Sequence, residues 1–100
     1  MKRKIREPLT NIENKKKELE ITIELPGMNK KTVDLVIDTD QVEIKTKKMK
    51  DRSEFYKLLS LPTLVNPNKF KKKFKDGILT LKIKKLKKQP KRKIINLDEK

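Results

Sequence analysis

The chemistry open to this chain is narrowed by what it lacks. Its 100 residues include no histidine and no cysteine. That removes the commonest general base, the thiolate nucleophile and the usual nitrogen and sulfur metal ligands. Ser53 and Ser60 are hydroxyls with no imidazole in the chain to activate them. Lys57 or Lys72 could act as an amine nucleophile only with a depressed pKa, and nothing in the sequence supplies one. Asp34, Asp38, Asp40 and Glu43 cluster as hard oxygen donors, but their spacing lacks the glycine and closing glutamate of a calcium loop. They read as solvated carboxylates or partners for lysines. The sequence therefore assigns no catalytic residue, no metal site and no cofactor, and it reads as a non-enzyme.

Charge is what the chain has in abundance. Lys and Arg total 29 against 14 acidic residues, a net charge of +15. Residues 45–57, 69–75 and above all 82–93 are basic, while 18–43 is acidic on balance. A surface of this kind binds polyanions at low salt. The expected contacts are Lys82, Lys84, Lys85, Lys87, Lys88, Lys91, Arg92 and Lys93, touching phosphates without reading bases. Readers of single strands interleave exposed aromatics with the charge. Here Phe55, Phe70 and Phe74 fall at core parity and only Tyr56 remains, so nucleic-acid contact is expected to be non-specific. The plainer reading is a solvated face and linker, and the lysine-rich composition also fits a thermophile's surface.

The elements follow from hydrophobic spacing. Over 18–25, Leu19, Ile21, Ile23 and Leu25 share one face and Glu18, Glu20, Thr22 and Glu24 the other, the pattern of a half-buried strand. Pro26-Gly27 ends it in a type II turn. Val33, Leu35 and Ile37 mark a second strand, Thr39-Asp40 a turn, and Val42 and Ile44 a third strand. Residues 55–61 form the next, stopped by Pro62. Asn66-Pro67-Asn68 reads as a loop. Residues 70–75 then pair with 78–84 across Asp76-Gly77, a strong hairpin signal. A weaker strand is expected over 9–13, where Thr10-Asn11-Ile12-Glu13 matches a helix capping box that no helical run follows.

Recurring short strands with no helix between them specify an all-β fold, an antiparallel immunoglobulin-like β-sandwich over 8–85. A charged arm (1–7) precedes it and a basic extension (86–100) follows. The expected inner faces carry Leu19, Ile21, Ile23, Val33, Leu35, Ile37, Val42, Ile44, Leu59, Leu79, Leu81 and Ile83. With 33% hydrophobic and 43% charged residues, the core must be thin. No stretch is apolar enough for a signal peptide or a membrane span. The absence of cysteine fits a reducing compartment, so a cytoplasmic location is expected.

Ordered along the chain, Glu24-Leu25-Pro26-Gly27, Leu61-Pro62, Val65-Asn66-Pro67, Asp76-Gly77-Ile78-Leu79-Thr80-Leu81 and Ile95-Asn96-Leu97 form a set. That set resembles the small heat-shock protein family, with its α-crystallin (Hsp20) domain, in a minimal and divergent form. The resemblance implies an ATP-independent holdase that binds partly unfolded client proteins and assembles as a homo-oligomer. It implies a client or partner groove at Leu35, Ile37, Phe70 and Phe74, and a C-terminal anchor at Ile95 and Leu97. The departures from the family pattern carry expectations of their own. Lys57 stands for an arginine, Lys72 for an alanine and Lys84 for a proline. Residues 48–54 are too few to carry an exchanged strand to a neighbour, so any dimer should be weak and use an edge strand or the tail. Two alternatives stand beside the holdase: a CS-like interaction module or co-chaperone adaptor, and a basic nucleic-acid-binding protein.

Overall fold

Alternation sets the layers. The computed structural model describes residues 5–47, 54–89 and 97. In β3 (Glu18–Glu24) Leu19, Ile21 and Ile23 are fully buried, while Glu18, Glu20 and Thr22 are only partly covered. β8 (Ile78–Lys85) repeats the pattern with Leu79, Leu81 and Ile83 inward. The two strands pair antiparallel with Ile21 opposite Leu81, so their apolar faces coincide. β2 (Thr10–Asn14) adds to the outside of β3, and β7 (Val65–Lys75) to the outside of β8, giving the sheet order β2-β3-β8-β7.

The second sheet is β1-β6-β5-β4. β4 (Val33–Ile37), β5 (Gln41–Thr46) and β6 (Glu54–Ser60) run antiparallel, and β1 (Ile5–Arg6) pairs parallel with the start of β6. Val42, Ile44 and Phe55 face the first sheet. The core also takes in Leu25, Met28 and Val65. The antiparallel sandwich read from the sequence is thus the observed fold, with one short parallel pairing at its margin. All twelve residues expected on the inner faces lie in the core or pack against it, with Val33, Leu35, Ile37 and Leu59 partly buried.

Two turns lock the frame. Gly27 has φ 78° and Met28 N–H donates to the Leu25 carbonyl at 3.1 Å, the geometry in which a type II turn needs glycine. At the hairpin tip Asp76 and Gly77 both have positive φ, 52° and 75°, as the turn twist matching antiparallel strands requires. The tips meet: Leu25 N–H donates to the Gly77 carbonyl at 2.7 Å, and a Cβ on Gly77 would sit 3.4 Å from the Leu25 carbonyl oxygen. The two glycine-bearing phrases in the sequence are therefore halves of one contact.

The structure departs from expectation in three places. Asn66-Pro67-Asn68 is not a free loop but part of β7, whose register shifts between Val65 and Phe70. Pro67 cannot donate to the ladder, and an irregular stretch of an edge strand is where it is tolerated. Ile5–Arg6 of the charged arm joins the sheet, with the Arg6 guanidinium 5.8 Å from the centre of the Phe55 ring. The basic segment after β8 starts out anchored: Leu86 N–H donates to Leu64 O at 3.0 Å. The Gln89 side chain accepts from Leu64 N–H and donates to Leu64 O, each at 2.8 Å.

Candidate binding groove

The sandwich is open along one side. β4 pairs only with β5, and β7 only with β8, so each presents an edge with no strand partner among the described residues. Between these edges lies a hollow of about 550 Å³. Val33, Leu35 and Ile37 of β4 form one wall, Phe70 and Phe74 of β7 the other, and Leu79 the floor. The structure thus brings Leu35, Ile37, Phe70 and Phe74 into one place. Lys30, Asp34 and Lys72 complete the rim.

Register explains why this side stays open. Phe70, Lys72 and Phe74 sit opposite Ile83, Leu81 and Leu79, which are all buried, so β7 turns this face toward the interior. Lys72 occupies the middle of it and cannot be covered at low cost. It is exposed and lines the hollow together with the two phenylalanines, its aliphatic stem able to snorkel. Phe70, expected at core parity, is 43% exposed. Parity gives the right face, but across it lies the open hollow, with β4 on the far side. The Asn29 side chain accepts from Lys31 N–H at 2.9 Å and caps a single 3-10 turn, Lys30–Thr32, which delivers β4 to its position.

Chemically the groove offers two things. Its apolar walls can bury aliphatic side chains, worth roughly 1.5–3 kcal/mol each before ordering costs. The unpaired edges of β4 and β7 can hydrogen-bond the backbone of an extended segment, the arrangement of strand addition. Of the expected anchor, Leu97 is 93% exposed and Ile95 lies outside the described residues.

The outer faces are distinct. On the β4–β6 sheet, Val36, Glu43 and Leu58 form one row across the strands, and Tyr56 O–H donates to Glu43 at 2.9 Å. That hydrogen bond, followed by desolvation and the carboxylate's charge, holds the Tyr56 pKa above its ordinary value. With Glu43 bonded to Tyr56 and Asp38 to Gln41, the acidic cluster does not converge. Among the described residues no three carboxylates surround a common point.

The lysines read from the sequence as one run are divided by the sheet. Lys82 pairs with Glu20 at 3.5 Å. Lys84, Lys85 and Lys87 line a separate hollow, Lys88 is exposed, and Lys91, Arg92 and Lys93 fall outside the described residues. Lys16, Lys17 and Lys69 also line that hollow, which no local pattern in the sequence signals beyond their proximity to turns that strand pairing brings together. Among the described residues no helix is long and apolar enough to cross a membrane.

Comparison with known proteins agrees with this geometry. Residues 11–98 match the model of the Hsp20/alpha crystallin family. The chain is 36% identical to small heat shock protein C4 of Rickettsia felis over 94% of its own length, and it spans 66% of that relative's length. Heat shock protein 16.0 from Schizosaccharomyces pombe superposes with a TM-score of 0.72 at 19% identity, covering 93% of this chain and 76% of that one. A small heat-shock protein from Xylella fastidiosa gives 0.64 at 17% identity, covering 89% and 95%. At those identities the structures establish a shared fold.

Proposed function

Since the chain belongs to the Hsp20/alpha crystallin family, we propose that it is a small heat-shock-type holdase, capturing partly unfolded cytoplasmic proteins without nucleotide. The observation that carries this reading is the groove between β4 and β7, where apolar walls and two unpaired strand edges lie side by side. An unfolding client exposes what such a groove accepts: extended backbone with alternating apolar side chains. A folded protein has buried both, so the groove selects for damage without reading sequence.

The same groove accepts the Ile95-Asn96-Leu97 segment of another copy. Two aliphatic side chains two residues apart point the same way in an extended strand. One such contact is weak, but repetition around a closed assembly adds avidity. Clients and tails then compete for one site, and tail release frees it. The segment at 48–54 is too short for strand exchange, so the dimer uses an edge strand or the tail.

The test is suppression of aggregation of a thermally unfolding client, without ATP, scored by light scattering. The full chain suppresses aggregation, and Leu35→Ser with Phe70→Ser loses most of that activity while keeping a β-sheet far-UV spectrum. Undiminished suppression by the folded double variant refutes the groove as the client site.

A further inference from the structure

Beyond the client groove, the structure gathers a second site. Lys16 and Lys17 come from the β2–β3 turn, Lys69 from β7, Lys84 and Lys85 from β8, and Lys87 from the segment beyond it. Together they line a hollow of about 730 Å³ that no acidic residue lines. None of the six makes an ion pair among the described residues, whereas Lys15 and Lys82 nearby are engaged by Glu13 and Glu20. The walls are held in place. Lys85 N–H donates to Lys17 O at 3.0 Å and Leu86 N–H to Leu64 O at 3.0 Å. Gln89 ties Thr63 and Leu64 to the same wall. Like charges drawn together this way repel one another, and a rigid frame that keeps them together suits a charge-dense anion.

This hollow does not end blindly. Lys69 and Lys84 also line a neighbouring hollow with Lys71, Lys82, Glu18 and Phe70. The outer side of the β7–β8 pair is therefore a lysine track that runs to the β7 edge, where Phe70, whose register turns it toward the groove, is 43% exposed and also lines this hollow. By parity Phe70 belongs to the inner face and the groove, so from the sequence only Tyr56 remains as an aromatic beside the basic runs; the structure sets Phe70 against the lysine track as well. Its exposure changes the ligand that fits.

We propose that single-stranded nucleic acid binds along this track. Its phosphates lie in the hollow of Lys16, Lys17, Lys84, Lys85 and Lys87, and a base stacks on Phe70. Lysines are point charges without the fixed fork that reads a guanine edge, so recognition is of strand and charge rather than sequence. Backbone neutralisation combined with stacking on an aromatic is the physics of sequence-tolerant single-strand binding.

The experiment is fluorescence anisotropy with the full chain and a labelled oligothymidylate about 20 nucleotides long, titrated across a salt series starting near 50 mM. Lys69→Gln with Lys84→Gln removes the two lysines shared by the hollows. Lys31→Gln with Lys45→Gln, in the 3-10 turn before β4 and in β5, removes the same net charge away from the track. The track variant is expected to weaken binding about tenfold at the lowest salt and to flatten the slope of log K against log salt by about 1.4, while the control changes both little. Phe70→Ala and the volume-conserving Phe70→Leu are each expected to weaken oligothymidylate binding about fivefold or more. Both should leave a linear polyphosphate of matched charge unaffected. Equal losses in the track and control pairs would reduce the binding to diffuse net charge and overturn the site. Loss of polyphosphate binding in step with oligothymidylate on Phe70 substitution, or no loss of either, would overturn the stacking role. Far-UV spectra of each variant verify that the sheet is intact.

Discussion

Thr46→Val isolates a single buried hydrogen bond. Thr46, at the end of β5, is only 8% exposed, and its Oγ1 accepts from Phe55 N–H at 2.8 Å. Phe55 is 5% exposed, so its amide has no ready access to water. The threonine hydroxyl thus closes the β5–β6 ladder beyond the last backbone pair, Lys45 with Tyr56. Valine keeps the shape, the β-branch and the burial, and removes only the acceptor. A buried donor left without a partner costs about 1–3 kcal/mol. Set against a mid-range cost of about 2 kcal/mol, valine's better fit to a strand returns at most about 1 kcal/mol, for a net loss of about 1–2 kcal/mol. In a chain of this size each kcal/mol moves Tm by about 4–8 °C, so Tm should fall by about 4–16 °C. Urea unfolding followed by far-UV circular dichroism should show the midpoint falling with the slope unchanged, and the Phe55 amide should lose hydrogen-exchange protection. A variant as stable as the parent, with Phe55 still protected, would refute the reasoning.

Other consequences follow from particular contacts. Gly77→Ala should destabilise the chain by about 1–2 kcal/mol, because φ of 75° is unfavourable for a residue with a Cβ; Gly77→Asn should cost less, and chemical denaturation ranks the two. The Tyr56 phenol, with its pKa raised by the hydrogen bond to Glu43, should ionise above the range of free tyrosine in an ultraviolet pH titration, and Glu43→Gln should bring it back. By linkage, a raised folded pKa stabilises at pH values below the unfolded pKa, and that contribution is lost as pH rises through the folded value. Ile95→Gly with Leu97→Gly should reduce the mass of any assembly measured by size exclusion with light scattering, and an unchanged mass would show that the tail is no anchor.

The strands and their inward faces were legible because period-two alternation is a local property. Leu19, Ile21, Ile23, Leu79, Leu81 and Ile83 need only their neighbours to declare a face. Parity also sets the faces of Leu35, Ile37, Phe70 and Phe74, but their grouping as a groove comes from the family resemblance; the structure places all four around one hollow, where β4 and β7 end their sheets. What escaped depends on contacts distant in sequence. Val65 is fully buried and starts a strand, but Pro67 after it signals a loop, and only pairing with Lys85 overrules that signal. That Phe70 reaches the surface at the open edge follows from the groove, but the extent, 43% exposed, depends on the spacing of the two sheet edges, which no local pattern records. Lys16, Lys17 and Lys69 join Lys84, Lys85 and Lys87 only after the β2–β3 turn and the end of β8 have met. Thr46 reads as an ordinary strand threonine until Phe55 arrives beside it.

Whether clients enter the groove between β4 and β7 is tested most directly by backbone nuclear magnetic resonance. An isotopically labelled chain is titrated with a reduced, permanently unfolded client, and amide shifts are followed residue by residue. Perturbations should concentrate at Leu35, Ile37, Phe70 and Phe74, with new protection of the outward amides of β4 and β7. The exposed apolar pair Val36 and Leu58 on the outer face should stay unmoved. Shifts centred on Val36 and Leu58, with the groove silent, would contradict client binding in the groove.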